Sequence, residues 1–232
     1  MQGRGNPISR EETNTKKSEE RRSELLGIAL ELFAKFGYHN TKISDIVKQA
    51  GVAQGTFYWH FKSKEAIALE IIASGRAEIA KVIGQGYRSH SGTVEDMVTA
   101  SELLLTSLFR FAGSNRYFME LLYAGAGNDE VIRSAVNETR NEMERAFRRN
   151  IERAVELQML PANIDSSLRA MLLVSLIEGV ISRWLFGPRE TESELSRKTA
   201  EELAAETARF EFFGLLGTTK NTANEVKKGS SK

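Results

Sequence analysis

The chain has 232 residues, of which 41% are apolar and 27% charged, and it has no cysteine. That suits one or two ordinary globular domains and excludes disulfide scaffolds, thiolate catalysis and Cys-ligated metals. The net charge of +1 is uneven: residues 1–64 carry +4, residues 65–216 carry −6 and the tail from 217 carries +3, which points to an anionic partner for the N-terminal segment.

Three His, at 39, 60 and 90, are too scattered for a metal site. No apolar run approaches the roughly 18 residues of a membrane helix, and the polar N-terminus does not read as a secretory signal. No H-E-x-x-H, G-x-S-x-G, P-loop or G-x-G-x-x-G motif occurs. No catalytic residue, metal, cofactor or membrane partner is expected, and a cytoplasmic protein that is not an enzyme is.

In chain order, residues 1–17 are polar with no apolar period and read as a disordered arm. From Ser18 to Phe36, the apolar residues Leu25, Ile28, Ala29, Leu32, Phe33 and Phe36 follow helical spacing, and Gly37 stops the helix. Thr41 is the expected N-cap of a short helix over 42–50, carrying Ile43, Ile46 and Val47 on one face. Gly51 turns the chain into a second short helix over 53–61. Ser63 then opens a longer helix toward Tyr87. Thr93-Val94-Glu95-Asp96 resembles a capping box and opens a helix to Ala112. Further helices are predicted over 115–124, 129–159 and 168–186, the last capped by Asp165 and ended by Gly187-Pro188. Thr191-x-x-Glu194 is read as the capping box of a final helix to Leu216. Residues 217–232 read as a flexible tail. No strand alternation is found, so the fold class is all-α, with about nine helices.

Two short helices with a glycine turn between them are the pattern of a helix-turn-helix, and neither reaches the roughly 12–15 residues that an isolated helix needs. Phe57 and Phe61, four apart, take the core face. Consecutive helical residues point about 100° apart, so at least two of Tyr58, Trp59 and His60 must face outward, where ring N–H, hydroxyl and imidazole can reach phosphates or bases. Ala53, Gln54, Gly55 and Thr56 start the same helix, the end that enters the major groove in such motifs. Gln54 can pair with adenine, Thr56 can touch a thymine methyl, and Gly55 allows close approach. Lys64, at the next helix N-terminus, is placed to meet a phosphate.

The stretch GYHNTKISDIVKQAGVAQGTFYWHFKSKEAI resembles the DNA-binding domain of the TetR (tetracycline-repressor-like) family of bacterial regulators. The resemblance rests on F-x-x-x-G-Y ending helix one, the Thr of helix two, the A-G-V turn and the G-T-F-Y-W-H-F-K-S-K-E run. It covers about 50 residues. It implies a homodimeric transcriptional regulator, usually a repressor, that leaves palindromic operator DNA when a small ligand binds its C-terminal domain. It further implies Thr41, Lys42 and Ser44 near phosphate, Gln54, Gly55 and Thr56 at bases, and Tyr58, Trp59, His60 and Lys64 at the DNA backbone. This divides the chain into residues 18–64 as DNA-binding domain and 65–216 as ligand-binding and dimerisation domain.

Within 65–216, Ser175 and Gly179 lie four apart on an otherwise apolar helix, and Ala200, Ala204 and Ala208 form a small-residue stripe followed by Phe212. With Leu172 and Leu176 they predict a homodimer through the last two helices. Leu105, Leu108, Phe109, Tyr117, Phe118, Leu121 and Leu122, faced by Met143, Phe147, Met171 and Trp184, form a candidate pocket for a lipophilic effector. A structural dimerisation domain without an effector is the alternative.

Overall fold

The computed structural model describes residues 7–124, 129–187 and 194–214. Among these are nine α-helices, one short 3-10 turn and no strand: α1 Pro7–Phe36, α2 Ile43–Ala50, α3 Gln54–His60, α4 Lys64–Gly84, α5 Val94–Ser114, α6 Arg116–Ala124, α7 Glu130–Glu156, α8 Ser166–Phe186, the turn Glu194–Arg197, and α9 Ala200–Phe213. No described helix is long and apolar enough to cross a membrane.

The chain forms two compact units. The first holds α1 to α3, α4 through Glu78, α6, and α7 through Glu142; the second holds the rest of α4 and α7 with α5, α8 and α9. In the first unit Leu25, Ala29, Leu32 and Phe33 of α1, Ile46 and Val47 of α2, and Phe57 and Phe61 are buried. Each such side chain contributes roughly 1.5–3 kcal/mol relative to exposure. α1 packs on α2 and α6, and α2 on α3. Gly75 shows how tight the unit is. A Cβ there would come within 2.1 Å of the Phe118 ring, so the glycine lets α6 approach the α4 backbone. In the second unit α5 and α9 make the most extensive helix pair.

Several sequence readings are corrected. α1 starts at Pro7, not Ser18. Proline suits a first helical turn, and the residues that follow include good helix formers. A missing apolar period excludes burial there, not helix. Phe36 is 60% exposed and lies off the α1 core face. The α2 N-cap position is Lys42, not Thr41, and the Asp45 carboxylate accepts the Lys42 N–H at 2.8 Å. α9 opens at Ala200 with Thr199 and Glu202 as its capping box, their reciprocal bonds being 3.2 and 2.8 Å. Thr191, Pro188, residues 1–6, Leu216 and the tail 217–232 lie outside the described residues.

Candidate nucleic-acid interface

Helix α3 is fixed from below and open above. Phe57 is fully buried, and its ring lies 5.7 Å from that of Phe61. On the opposite side Tyr58 is 51% and Trp59 71% exposed, as the 100° step requires. Gly51, in the left-handed conformation at φ 65°, makes the turn that aims α3, and the Val52 N–H closes it onto the Val47 carbonyl at 3.0 Å.

At the start of α3, Ala53, Gln54 and Gly55 are exposed and Thr56 half-buried. Ala53, at the N-cap, supplies no side-chain cap. A Cβ at Gly55 would meet nothing within 4 Å. Its backbone is ordinary helix, where glycine costs about 1 kcal/mol relative to alanine. Neither conformation nor internal packing requires this glycine. The α3 surface thus offers an amide, a hydroxyl and two aromatic rings beside an unobstructed stretch of backbone.

His60 is half-buried, its ring 4.5 Å from that of Trp59. Burial first, then the charges of Arg22 and Arg21, hold its imidazole below the usual histidine range. The neutral imidazole is thereby favoured over the cation. Arg21 and Arg22 are fifteen or more positions outside the motif; Arg22 stands 4.9 Å above the Phe61 ring and pairs with Glu70. No spacing rule connects them to His60.

The structure brings Lys42 and Ser44 to the surface of α2 but withdraws two neighbours. Thr41 is buried, and its hydroxyl donates to the Gly37 carbonyl at 2.9 Å and to the Leu32 carbonyl at 3.2 Å. It locks α2 to the end of α1 instead of facing a phosphate. Lys64 is similarly engaged. Its ammonium donates to the carbonyls of Tyr38 at 2.7 Å, Thr41 at 2.9 Å and His39 at 3.4 Å, and sits 4.3 Å above the Tyr38 ring. Burial holds this ammonium below the usual lysine range. All three of its donors are used inside the fold, so Lys64 is a latch on the turn over 38–41. Lys62, not singled out in the sequence, remains exposed two residues after α3.

The residues of the predicted pocket fall in both units. Phe118, Leu121 and Leu122 are buried in the first unit. Tyr117 is exposed on α6, its ring 5.4 Å from the Lys35 ammonium of α1. In the second unit Leu105, Leu108, Phe109 and Met143 are core. Trp184 meets Phe109 edge-on at 6.2 Å and donates its ring N–H to the Lys198 carbonyl at 3.1 Å, while Met171 is exposed on α8. Phe147 does line a cavity, with Leu104, Ile151, Leu160, Leu173 and Glu211. An adjoining larger cavity of about 590 Å³ shares Ile151, Leu160, Leu173, Glu211 and Phe212.

The predicted dimer residues divide. Ala200, Ala204 and Ala208 are buried, and α9 packs on α5. The stripe serves a close approach within the protomer. On α8, by contrast, Leu168, Met171, Leu172, Ser175 and Gly179 are exposed, Leu176 is half-buried, and Phe210 and Phe213 of α9 add exposed apolar surface.

Comparison with known proteins decides the family. The family model for bacterial regulatory proteins of the tetR family matches residues 25–71, and that for the C-terminal region of MAATS-type transcriptional repressors matches residues 100–207. The chain belongs to the TetR family. It is 26% identical over 211 residues to the transcriptional regulator AcrR of Shigella flexneri, covering 89% of this chain and 95% of AcrR. Its fold is similar to that of FadR from Bacillus subtilis, solved with stearoyl-CoA (TM-score 0.67, 18% identity, 83% of this chain and 98% of the other). It is also similar to SmeT of Stenotrophomonas maltophilia, solved with triclosan (TM-score 0.66, 21% identity, 82% and 90%). As a TetR-family protein the chain is a DNA-binding transcription regulator of the helix-turn-helix type. Members of this family are regulators rather than enzymes.

Proposed function

We propose that this TetR-family chain is a cytoplasmic homodimeric repressor that holds a palindromic operator through α3 and leaves it when a small lipophilic effector binds the second unit. The observation that carries the DNA reading is the α3 surface itself. Gln54, Gly55, Tyr58 and Trp59 are exposed on a helix whose buried side, Phe57, fixes its orientation. Gln54 and Thr56 read base edges in this proposal. Lys42, Ser44 and Lys62 meet phosphates, with Tyr58, Trp59 and neutral His60 hydrogen-bonding or packing alongside.

The dimer is supported by the open apolar face of α8, which a lone protomer would leave in water. Leu172, Ser175, Leu176 and Gly179 stay in that proposal, joined by Phe210 and Phe213 in place of the α9 alanines. Two α3 helices held across this face would need to reach major grooves about 34–36 Å apart. The effector reading is supported by the cavities in the second unit and by the ligands bound to FadR and SmeT in their solved structures.

The effector test is operator binding by fluorescence anisotropy, repeated with every lipophilic compound that raises the melting temperature. Release is expected for at least one compound, and the same coupling must make operator DNA weaken that compound's binding. Compounds that bind the second unit while operator affinity stays fixed would leave a structural dimerisation domain as the better reading.

A further inference from the structure

Glu211 is a charged group that the DNA-binding reading leaves unused. It stands in the last turn of α9, in the walls of both adjoining cavities, of about 100 and 590 Å³. Leu160, Leu173 and Phe212 line both cavities beside it. Its hydrogen-bond partner is Ser101 of α5, whose hydroxyl donates to the carboxylate at 2.5 Å. No cation pairs with it among the described residues. Arg88 lines the smaller cavity but is tied to the Asp96 carbonyl, and Arg169 of α8 lines the larger one without forming an ion pair to Glu211. Glu211 keeps solvent exposure beside these apolar walls; the surrounding protein pushes its carboxyl up to about 6, so at neutral pH it stands there as a carboxylate without a counter-ion. A carboxylate beside apolar walls is complemented by a ligand that carries a positive charge on an apolar body.

We propose that this cavity binds a lipophilic organic cation, with its ammonium group against Glu211 and Ser101 and its hydrocarbon part along Leu160, Leu173 and Phe212. The larger cavity falls within the roughly 300–1,000 Å³ typical of small-molecule sites. A carboxylate ligand would set like charges together at Glu211, so the site discriminates against acids. Leu172, Leu176 and Phe210 border both the larger cavity and the proposed dimer face, so pairing there roofs the site. The inference deepens the effector reading and rests on it for its consequence at DNA; the binding step itself is measured without DNA.

The experiment is calorimetric titration of the full chain with decyltrimethylammonium below its micelle concentration, and with decanol and decanoate as neutral and anionic counterparts. Decyltrimethylammonium should bind at least about ten-fold more tightly than either, as the attraction between its cationic head and the carboxylate implies. Glu211→Gln should abolish that preference while leaving decanol affinity within about two-fold, and Glu211→Asp, which keeps the charge, should retain it. Equal affinities in the parent protein, or the same preference in Glu211→Gln, would overturn the proposal. So would a groove closed by a second copy that binds none of the three probes. Operator affinity is scored separately. A cation that binds through Glu211 without releasing DNA upholds the site and removes the effector role. Release by a neutral lipophile, in a protein whose Glu211→Gln variant binds all three probes as the parent does, upholds the effector role and overturns this site.

Discussion

The α3 surface and the Glu211 cavity expose functional chemistry in opposite ways. On α3, polar and aromatic groups stand outward on a seven-residue helix whose other side is anchored by Phe57, and the turns around it are latched by Thr41 and Lys64. At Glu211 the chemistry borders an open cavity lined by side chains from α5, α7, α8 and α9. A recognition surface must keep one geometry to read bases, so its support is dense. A ligand cavity must leave room, so its walls are underpacked. The two regions should respond differently to substitution.

The largest contrast is at the support of α3. Phe57→Ala removes its one fully buried side chain and should cost about 3–5 kcal/mol, lowering the melting temperature and abolishing operator binding together. Phe147→Leu, at the cavity wall, should cost far less and leave operator binding in place, because partly empty space accepts a change of shape. Equal losses in thermal melts would erase the distinction.

Lys64 sharpens it next. Lys64→Met leaves three carbonyls without their charged partner and should cost about 1.5–3 kcal/mol of stability, with no change in the salt dependence of DNA binding by the residual folded protein. Lys62→Ala should do the reverse, leaving the melt unchanged and reducing the salt slope by about one ion. A salt slope that falls with Lys64→Met instead would return Lys64 to the DNA surface.

A third substitution addresses the α8 face. Gly179 is exposed, and a Cβ there meets nothing within 4 Å, so Gly179→Leu fits the protomer and is read only across an interface. An overpacking cost of about 1–3 kcal/mol should make sedimentation show monomer where the parent is dimeric. A dimer of unchanged strength would place the interface elsewhere.

The smallest effect is a pH dependence. The folded-state value of about 6 for Glu211 lies above the ordinary carboxylate value of 4.5, so the native state binds the extra proton between them. Its contribution to stability is present below about pH 4.5 and is lost as pH rises through 6. Glu211→Gln should therefore gain stability relative to the parent across that window and hold a constant advantage above it, as followed by denaturant melts. A difference independent of pH would mean that the carboxyl is well solvated.

What was legible in the sequence follows the range of the interactions. The α2–turn–α3 unit was readable because Ile46, Val47, Phe57 and Phe61 lie within sixteen residues and their spacing alone fixes which side is inside. The latch made by Lys64 was not readable because its partners, the carbonyls over 38–41, reach it only through the tertiary fold. The alanines of α9 correctly announced a close helix approach, yet small residues do not name the neighbour, and that neighbour is α5. The cavity was illegible in sequence. Ser101 and Glu211 are 110 positions apart, on helices whose charged residues otherwise look like solvent-facing ones.

The central claim is that α3 reads DNA bases, and Gln54 tests it most directly. Parent protein and Gln54→Ala should be compared by anisotropy on the preferred palindrome and on palindromes with each half-site base pair changed symmetrically. The account predicts a loss of about 1–3 kcal/mol on the preferred site and relaxed choice at one base pair per half-site, with the other positions discriminated as before. Equal weakening on every sequence, with discrimination intact throughout, would contradict it and make Gln54 a contact to the DNA backbone.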